Sequence, residues 1–172
     1  MPALFQISRR IVLLAAAAML AARPGRAQTM PIAESREAEP LRLGTAPVSV
    51  ALAAAQPLRA RLQAKRAGEQ FYLLLQQVRA EAAVDAVYEV YLDLPAATKP
   101  SRDSRHYVGD LNFFDAESGR RGASFNVTAL LAELQGSGAL GDAPTVTLVP
   151  NGQPSAEARP SIGKIQIVAA AR

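Results

Sequence analysis

Cysteine and tryptophan are absent from the 172-residue sequence, and histidine occurs once, as His106. Without cysteine the chain cannot form disulfides, thiolate zinc sites, iron–sulfur clusters or a cysteine nucleophile. A single histidine also excludes copper or zinc centres that are built from several imidazoles. With 49% hydrophobic residues, the chain can still bury one domain-sized core. These absences remove most metal-dependent and cysteine-dependent enzyme classes.

The net charge of +4 comes entirely from the first 27 residues, which contain four arginines and no acidic residue. The rest of the chain carries equal numbers of basic and acidic residues. Proteins that bind nucleic acid need a sustained basic surface that displaces counterions from the phosphates. We therefore predict that nucleic acid is not a partner.

An apolar run of twelve residues, Ile11 to Ala22, follows Arg9 and Arg10 near the N-terminus. This length is typical of the hydrophobic region of a signal peptide and is too short to span a bilayer. Small residues before the end of this segment predict cleavage between Ala27 and Gln28. The arginine pair fits the twin-arginine export route, and a general secretory signal is the alternative. The first 27 residues thus predict an exported protein, periplasmic or secreted, whose mature form is not inserted in a membrane.

Beyond the predicted cleavage site, the sequence changes from irregular to regularly alternating. Residues 28–40 combine prolines and charges with little periodicity and predict a flexible leader. From residue 41 to residue 172, apolar and polar residues alternate over short segments, as is typical of half-buried strands. The predicted strands are Val48–Ala53, Phe71–Val78, Tyr88–Asp93, Asp110–Phe113, Ala123–Val127, Thr145–Leu148 and Gly163–Ile167.

Two segments have helical composition. Thr128 can cap a short helix that runs through Gln135, with Gly136 as its stop. Leu58–Gly68 also contains helix formers, but its four cationic residues leave a narrow apolar face, so we predict a charged loop or a frayed turn there. Seven strands and one short helix predict an all-β fold, an antiparallel β-sandwich over residues 41–172.

The order of these segments resembles the C-terminal β-sandwich domain of bacterial tyrosinases and polyphenol-oxidase-like proteins. The resemblance extends over about residues 41–170 and rests on the order and spacing of several short pieces. These pieces are Pro47–Val50, Val87–Pro95, His106–Phe114, Phe125–Leu131, Val146–Pro150 and Ser161–Ile167. The Lys-Phe-Asp-Val motif of the plant members is matched loosely, with Val87, Tyr88 and Glu89 in place of its first three residues.

In that family the sandwich packs over a copper domain, and in several members it shields the active site until it is removed. A separate small protein has the same shielding role beside some bacterial tyrosinases. A chain with one histidine cannot supply the family's six copper-binding histidines. The resemblance therefore implies a non-catalytic accessory protein without a metal or cofactor, whose partner is a separately encoded copper oxidase of the tyrosinase type.

Candidate contacts for such a partner lie around the polar segment Lys99–Tyr107. We single out His106, Tyr107 and Tyr91, because tyrosine is a rigid anchor that buries much area at low entropic cost. The alternative for His106 is an exposed or internally hydrogen-bonded imidazole. The alternative for the tyrosines is ordinary packing on the sheet with the hydroxyl in water.

Two other function classes remain open from the sequence. A module that binds envelope polysaccharide suits a β-sandwich, although the 5% aromatic content disfavours it. A hydrolase needs a nucleophile beside a base, and the sequence has no G-x-S-x-G nucleophile elbow. Asp85, Glu89 and Asp93 are spaced by four, so they are either a carboxylate pair for acid–base work or solvated side chains on a strand.

Overall fold

The fold is described from a computed structural model over residues 30–36, 39–114 and 121–171. Within these ranges, no helix is long and apolar enough to cross a bilayer. The strands are β1 (Met30–Ser35), β2 (Leu41–Arg42), β3 (Val48–Ala54), β4 (Glu69–Arg79), β5 (Val87–Leu92), β6 (Tyr107–Leu111), β7 (Arg121–Asn126), β8 (Thr145–Asn151) and β9 (Ser161–Ala171). The helices are α1 (Leu58–Gln63) and α2 (Thr128–Gly136). The predicted signal residues Arg9, Arg10, Ala27 and Gln28 lie outside the described residues.

The strands pair antiparallel in one sheet with the order β6-β5-β8-β3-β1-β9-β4-β7, and β2 pairs with β9. The all-β prediction is confirmed, and the seven predicted strands correspond to β3 through β9. The sheet curls until its two end strands meet, where the Phe125 ring of β7 lies against Gly109 of β6. The predicted sandwich is therefore better described as a nearly closed barrel. The physical reason is β1, which joins β3 to β9 and so links the two halves.

The flexible leader predicted over residues 28–40 is wrong for its described part. Met30–Ser35 forms β1, which lies between β3 and β9 and pairs with both. Ala33 is buried in the core, and the Ser35 hydroxyl accepts a hydrogen bond from the backbone nitrogen of Ile165 at 3.1 Å. Backbone pairing on both sides fixes this strand, so it forms without the alternation of large apolar side chains that reveals the others.

The core lies inside the barrel, and the long strands β4 and β9 contribute many of its residues. Phe71, Leu73 and Leu75 are fully buried on β4, and Ile165 and Ile167 are buried on β9. Because successive side chains of a strand point to opposite faces, the period-two pattern places all five on the inner face. β4 and β9 pair along almost their entire lengths. This ladder is the structural centre of the barrel.

A β-bulge interrupts β4 at Gln77. Gln77 has a φ of 54°, and the register between β4 and β7 shifts between Leu75 and Val78. The Gln77 side chain lies over Gly163 of β9, where an added Cβ atom would be 2.1 Å from the Gln77 Oε1 atom. A side chain at residue 163 would displace Gln77, so glycine is favoured where β9 passes this bulge.

Helix α1 forms where a charged loop or frayed turn was predicted. Leu58 is fully buried and anchors the helix to the core. Arg61 forms a two-point ion pair with the carboxylate of Glu69 on β4. Arg59 donates to the carbonyl oxygen of Leu140 at 2.6 Å. The arginines that narrow the apolar face are thus bonded to neighbouring elements, and this compensates for the small apolar contact.

Helix α2 is confirmed in position, but its predicted ends are wrong in detail. Thr128 does not cap the helix; its hydroxyl accepts a hydrogen bond from the backbone nitrogen of Phe71 on β4 at 2.8 Å. The helix includes Gly136, and the left-handed residue after it is Gly138, with a φ of 71°. This hydrogen bond from Phe71 joins the start of α2 to the beginning of β4.

Candidate functional site

A polar cluster on the outer face of β5 and β6 brings together several of the residues discussed above. Arg102, in the loop between these strands, has its Nε atom 3.0 Å from Oε1 of Glu89 and its Nη2 atom 2.9 Å from Oδ2 of Asp110. Glu89 on β5 and Asp110 on β6 are paired directly across the two strands. The carboxylate of Asp110, and then that of Glu89, raises the pKa of Arg102. One guanidinium thus binds two carboxylates that would otherwise repel each other.

Two tyrosines complete this cluster. Tyr107 donates to Oδ1 of Asp110 at 2.8 Å, and Tyr91 donates to Oε2 of Glu89 at 2.6 Å. The two rings meet edge to face with their centroids 5.6 Å apart. Burial, and then the hydrogen bond to a carboxylate, raises the pKa of each tyrosine, so both stay protonated donors at neutral pH. We call Glu89, Tyr91, Arg102, Tyr107 and Asp110 the Arg102 cluster.

The three predicted contact residues differ in their access to solvent. His106 is 6% exposed, and its Nδ1 atom lies 2.8 Å from the carbonyl oxygen of Leu92. Tyr91 has no exposed surface. Because both side chains are buried, His106 and Tyr91 offer almost no surface to a partner in this conformation. Tyr107 is half-buried and is the one of the three that keeps accessible surface.

Asp93, directly after β5, fastens two other segments to the end of that strand. Its carboxylate accepts hydrogen bonds from the backbone nitrogens of Gly141 and Thr145, both at 2.7 Å. Asp85 lies exposed before β5, and Glu89 is engaged in the Arg102 cluster. The three carboxylates spaced by four therefore serve separate purposes and do not form an acid–base pair.

The side chains of the described region are arranged for rigidity. In this part of the chain no three metal-ligating side chains come together, and every buried side-chain nitrogen or oxygen has a hydrogen-bond partner. The hydroxyls, carboxylates and guanidinium of the Arg102 cluster bind one another. Such an arrangement holds a surface in a fixed shape, which suits recognition.

The sequence reasoning missed Phe114, an aromatic ring that is 74% exposed. Phe114 follows β6 and lies at the opposite end of that strand from Tyr107. A cavity of about 160 Å³ opens nearby, between β6 and β7, and is lined by Leu111 and Phe125 among others. The sequence contained the information needed to predict this exposure, because alternation that buries Leu111 and Phe113 directs the side chain of residue 114 outward. Among the described residues, Phe114 is therefore a largely uncovered apolar side chain.

Polyphenol oxidases and a tyrosinase are among the solved structures that match this fold. Latent aurone synthase, a polyphenol oxidase, matches with a TM-score of 0.54 and 20% identity, over 77% of this chain and 25% of that chain. Latent apple tyrosinase matches with a TM-score of 0.53 and 19% identity, over 77% and 27% of the two chains. The chain thus spans about a quarter of the length of these enzymes. The likeness confirms, at the level of the fold, the resemblance to the tyrosinase C-terminal domain.

Comparison by sequence leads to a family without an assigned activity. No curated protein matches the chain. The model of a domain of unknown function, DUF7868, matches residues 25–170, a range that contains β1 through β8 and nearly all of β9. The chain therefore belongs to the DUF7868 family.

Proposed function

We propose that this protein is an exported, non-catalytic accessory protein that binds a separately encoded copper oxidase of the tyrosinase type and covers its active-site mouth. The observation that carries this proposal is the fold match to two oxidases described as latent, in which a segment of this size makes up about a quarter of the chain. The proposal assigns to a separate protein the covering role that the resemblance implies for the domain within larger oxidases.

The residue content supports the non-catalytic part of the proposal. The sequence contains one histidine and no cysteine, whereas a dinuclear copper site needs several imidazoles. That histidine, His106, is buried and bonded to the backbone of β5. Copper and the oxidation chemistry then belong to the partner.

The surface along β6 supports the binding part. Tyr107, fixed by the Arg102 cluster, lies at one end of this strand, and the exposed Phe114 lies just beyond the other end. At roughly 3.3 Å per residue, the Cα atoms of the two residues are at most about 23 Å apart, a span that fits inside a typical interface of about 800 Å² per partner. Rigid aromatic side chains of this kind are favoured anchors in protein interfaces.

The predicted export signal suits the same function. The twin-arginine route carries folded proteins, and Arg9-Arg10 before the apolar run fits that route. A folded complex of this chain with its oxidase could then leave the cytoplasm together, and the mature protein would act in the periplasm or outside the cell.

Co-expression with a six-histidine oxidase encoded in the same genome tests the proposal. We expect the two proteins to co-purify in equal amounts, and we expect Phe114→Asp combined with Tyr107→Ala to abolish the complex. Met30→Asp is the matched control, because Met30 is also an exposed apolar residue, 68% exposed, but lies on β1 away from β6. If the wild-type proteins do not co-purify, and neither alters the copper loading, latency or export of the other, the proposal fails. The alternative function, binding to envelope polysaccharide, would then be the one to test.

A further inference from the structure

An asparagine–glycine pair, Asn151–Gly152, lies at the end of β8 beside the Arg102 cluster. Both residues are exposed. The Asn151 Nδ2 atom donates to Oε1 of Glu89 at 3.1 Å, and this is the oxygen that the Nε atom of Arg102 also approaches. A chemical change at Asn151 would therefore act directly on Glu89.

We propose that Asn151 is a modification site at which the side-chain amide is lost by spontaneous deamidation. The backbone nitrogen of Gly152 attacks the side-chain carbonyl carbon of Asn151, so that a new carbon–nitrogen bond closes a succinimide ring. The bond from that carbon to Nδ2 breaks, and the departing nitrogen takes up the proton of the Gly152 amide and leaves as ammonia. Water then opens the ring at either carbonyl, which gives aspartate or isoaspartate. The net reaction consumes one water, releases one ammonia and changes no oxidation state.

The residue after each asparagine explains why this site is singled out. Gly152 has no Cβ to crowd its attacking nitrogen, and its φ of 114° is in a region where glycine is favoured. The other asparagines of the sequence, Asn112 and Asn126, are followed by phenylalanine and valine. Those side chains hinder the same attack. The chain thus contains its own internal controls.

Deamidation to aspartate replaces the Asn151 Nδ2 atom, which contacts the Arg102 cluster, with an oxygen. A carboxylate at residue 151 cannot donate to Glu89, and it places a second negative charge within hydrogen-bonding reach of the Glu89 carboxylate. Glu89 would keep Arg102 and Tyr91 as partners. Deamidation therefore weakens the junction between β5 and β8, which meet at this point through the Val87–Asn151 pair.

Peptide mapping by mass spectrometry after incubation of the purified chain at mildly alkaline pH tests the modification. We expect aspartate and isoaspartate to accumulate at residue 151 while residues 112 and 126 remain asparagine. Isoaspartate is the signature of the ring intermediate, because direct hydrolysis yields only aspartate. Equal conversion at the three sites overturns the proposal. So does an unchanged residue 151 after a period that fully converts a short peptide containing Val-Pro-Asn-Gly-Gln.

A comparison of variants tests the coupling to Glu89. Asn151→Asp carries the product charge, and Asn151→Ser removes the amide without adding a charge. We expect Asn151→Asp to melt at a lower temperature than Asn151→Ser, and the difference to vanish when Glu89→Gln is added to both. Equal melting temperatures in the wild-type background, or a difference that persists with Glu89→Gln, would overturn the coupling.

Discussion

The β4–β9 ladder and the β5–β6 hairpin belong to the same sheet and both bury apolar side chains in the core, but they differ in length and in their outer faces. The ladder joins two eleven-residue strands and buries large apolar side chains inside the barrel. The hairpin is about half as long and carries the Arg102 cluster on its outer face. Ionic screening weakens exposed ion pairs, whereas it does not weaken apolar burial. The stability of the barrel and the shape of its candidate binding surface can therefore be changed separately.

Truncation in the ladder has the largest expected effect. Leu73 is fully buried on β4, so Leu73→Ala leaves a cavity and should lower the free energy of unfolding by about 2–5 kcal/mol. Leu41→Ala is the control, because Leu41 is only partly buried on the short strand β2. Chemical denaturation measures both. Equal decreases in the free energy of unfolding for the two variants would contradict the conclusion that the β4–β9 ladder contributes most to the stability of the barrel.

A substitution at the β4 bulge should lower the free energy of unfolding by a smaller amount, through a steric clash with one side chain. Gly163→Ala places a methyl group against the Gln77 side chain and should cost about 1–3 kcal/mol of unfolding free energy. Gly44→Ala is the matched control, since no heavy atom lies within 4 Å of an added Cβ there. Adding Gln77→Gly, which suits the positive φ of that residue, should restore most of the loss. A double variant as unstable as Gly163→Ala would show that the clash is not the cause.

Acid titration tests the ion pair between α1 and the ladder. The hydrogen bond from Arg61 holds the pKa of the Glu69 carboxyl below its ordinary value of 4.5. A carboxyl with a lowered pKa in the folded state adds stability above its unfolded pKa, and that contribution is lost as the pH falls through its folded pKa. As the pH is lowered below about 4.5, we expect the melting temperature of the wild type to decrease. We expect a smaller decrease over the same pH range in Glu69→Gln. Parallel curves would contradict this assignment.

The smallest effect on overall stability is expected at Arg102. Arg102→Ala should lower the melting temperature only slightly, because solvent screens both the ion pairs of this half-exposed side chain and the repulsion that remains between Glu89 and Asp110. Amide exchange in the loop between β5 and β6 should become faster, and added salt should have the same effect on wild type. Arg105→Ala, an exposed neighbour outside the cluster, is the control. Unchanged loop exchange in Arg102→Ala would show that the cluster does not hold the loop.

Alternation predicted the strands of the fold wherever large apolar residues repeat with period two, as in β9, and a dense apolar run predicted β4. It could not predict β1, because Met30–Ser35 buries little beyond Ala33 and is held by the backbones of two neighbours. The closure of the sheet into a barrel depends on that same strand. Pairing partners distant in sequence carry this information, and a local pattern does not contain it.

The sequence singled out three residues that lie at or beside the candidate site, but it did not predict their exposure or the part played by Arg102. Tyr91, His106 and Tyr107 do meet at the junction of β5, β6 and their loop. A register shift between Val90 and Tyr91 sets Tyr91 opposite Tyr107 and leaves it enclosed. Arg102 joins Glu89 to Asp110 only because the strands pair in that register. Such details depend on tertiary pairing, so spacing along the chain could not reveal them.

Titration of an active oxidase tests the proposed function most directly. The purified protein is added in increasing amounts to the six-histidine oxidase of the same genome, and diphenol oxidation is measured. The account predicts that activity falls and reaches a plateau at one chain per oxidase, with Phe114→Asp requiring a large excess. Full activity at every ratio, with no complex detected in the same mixtures, would contradict it.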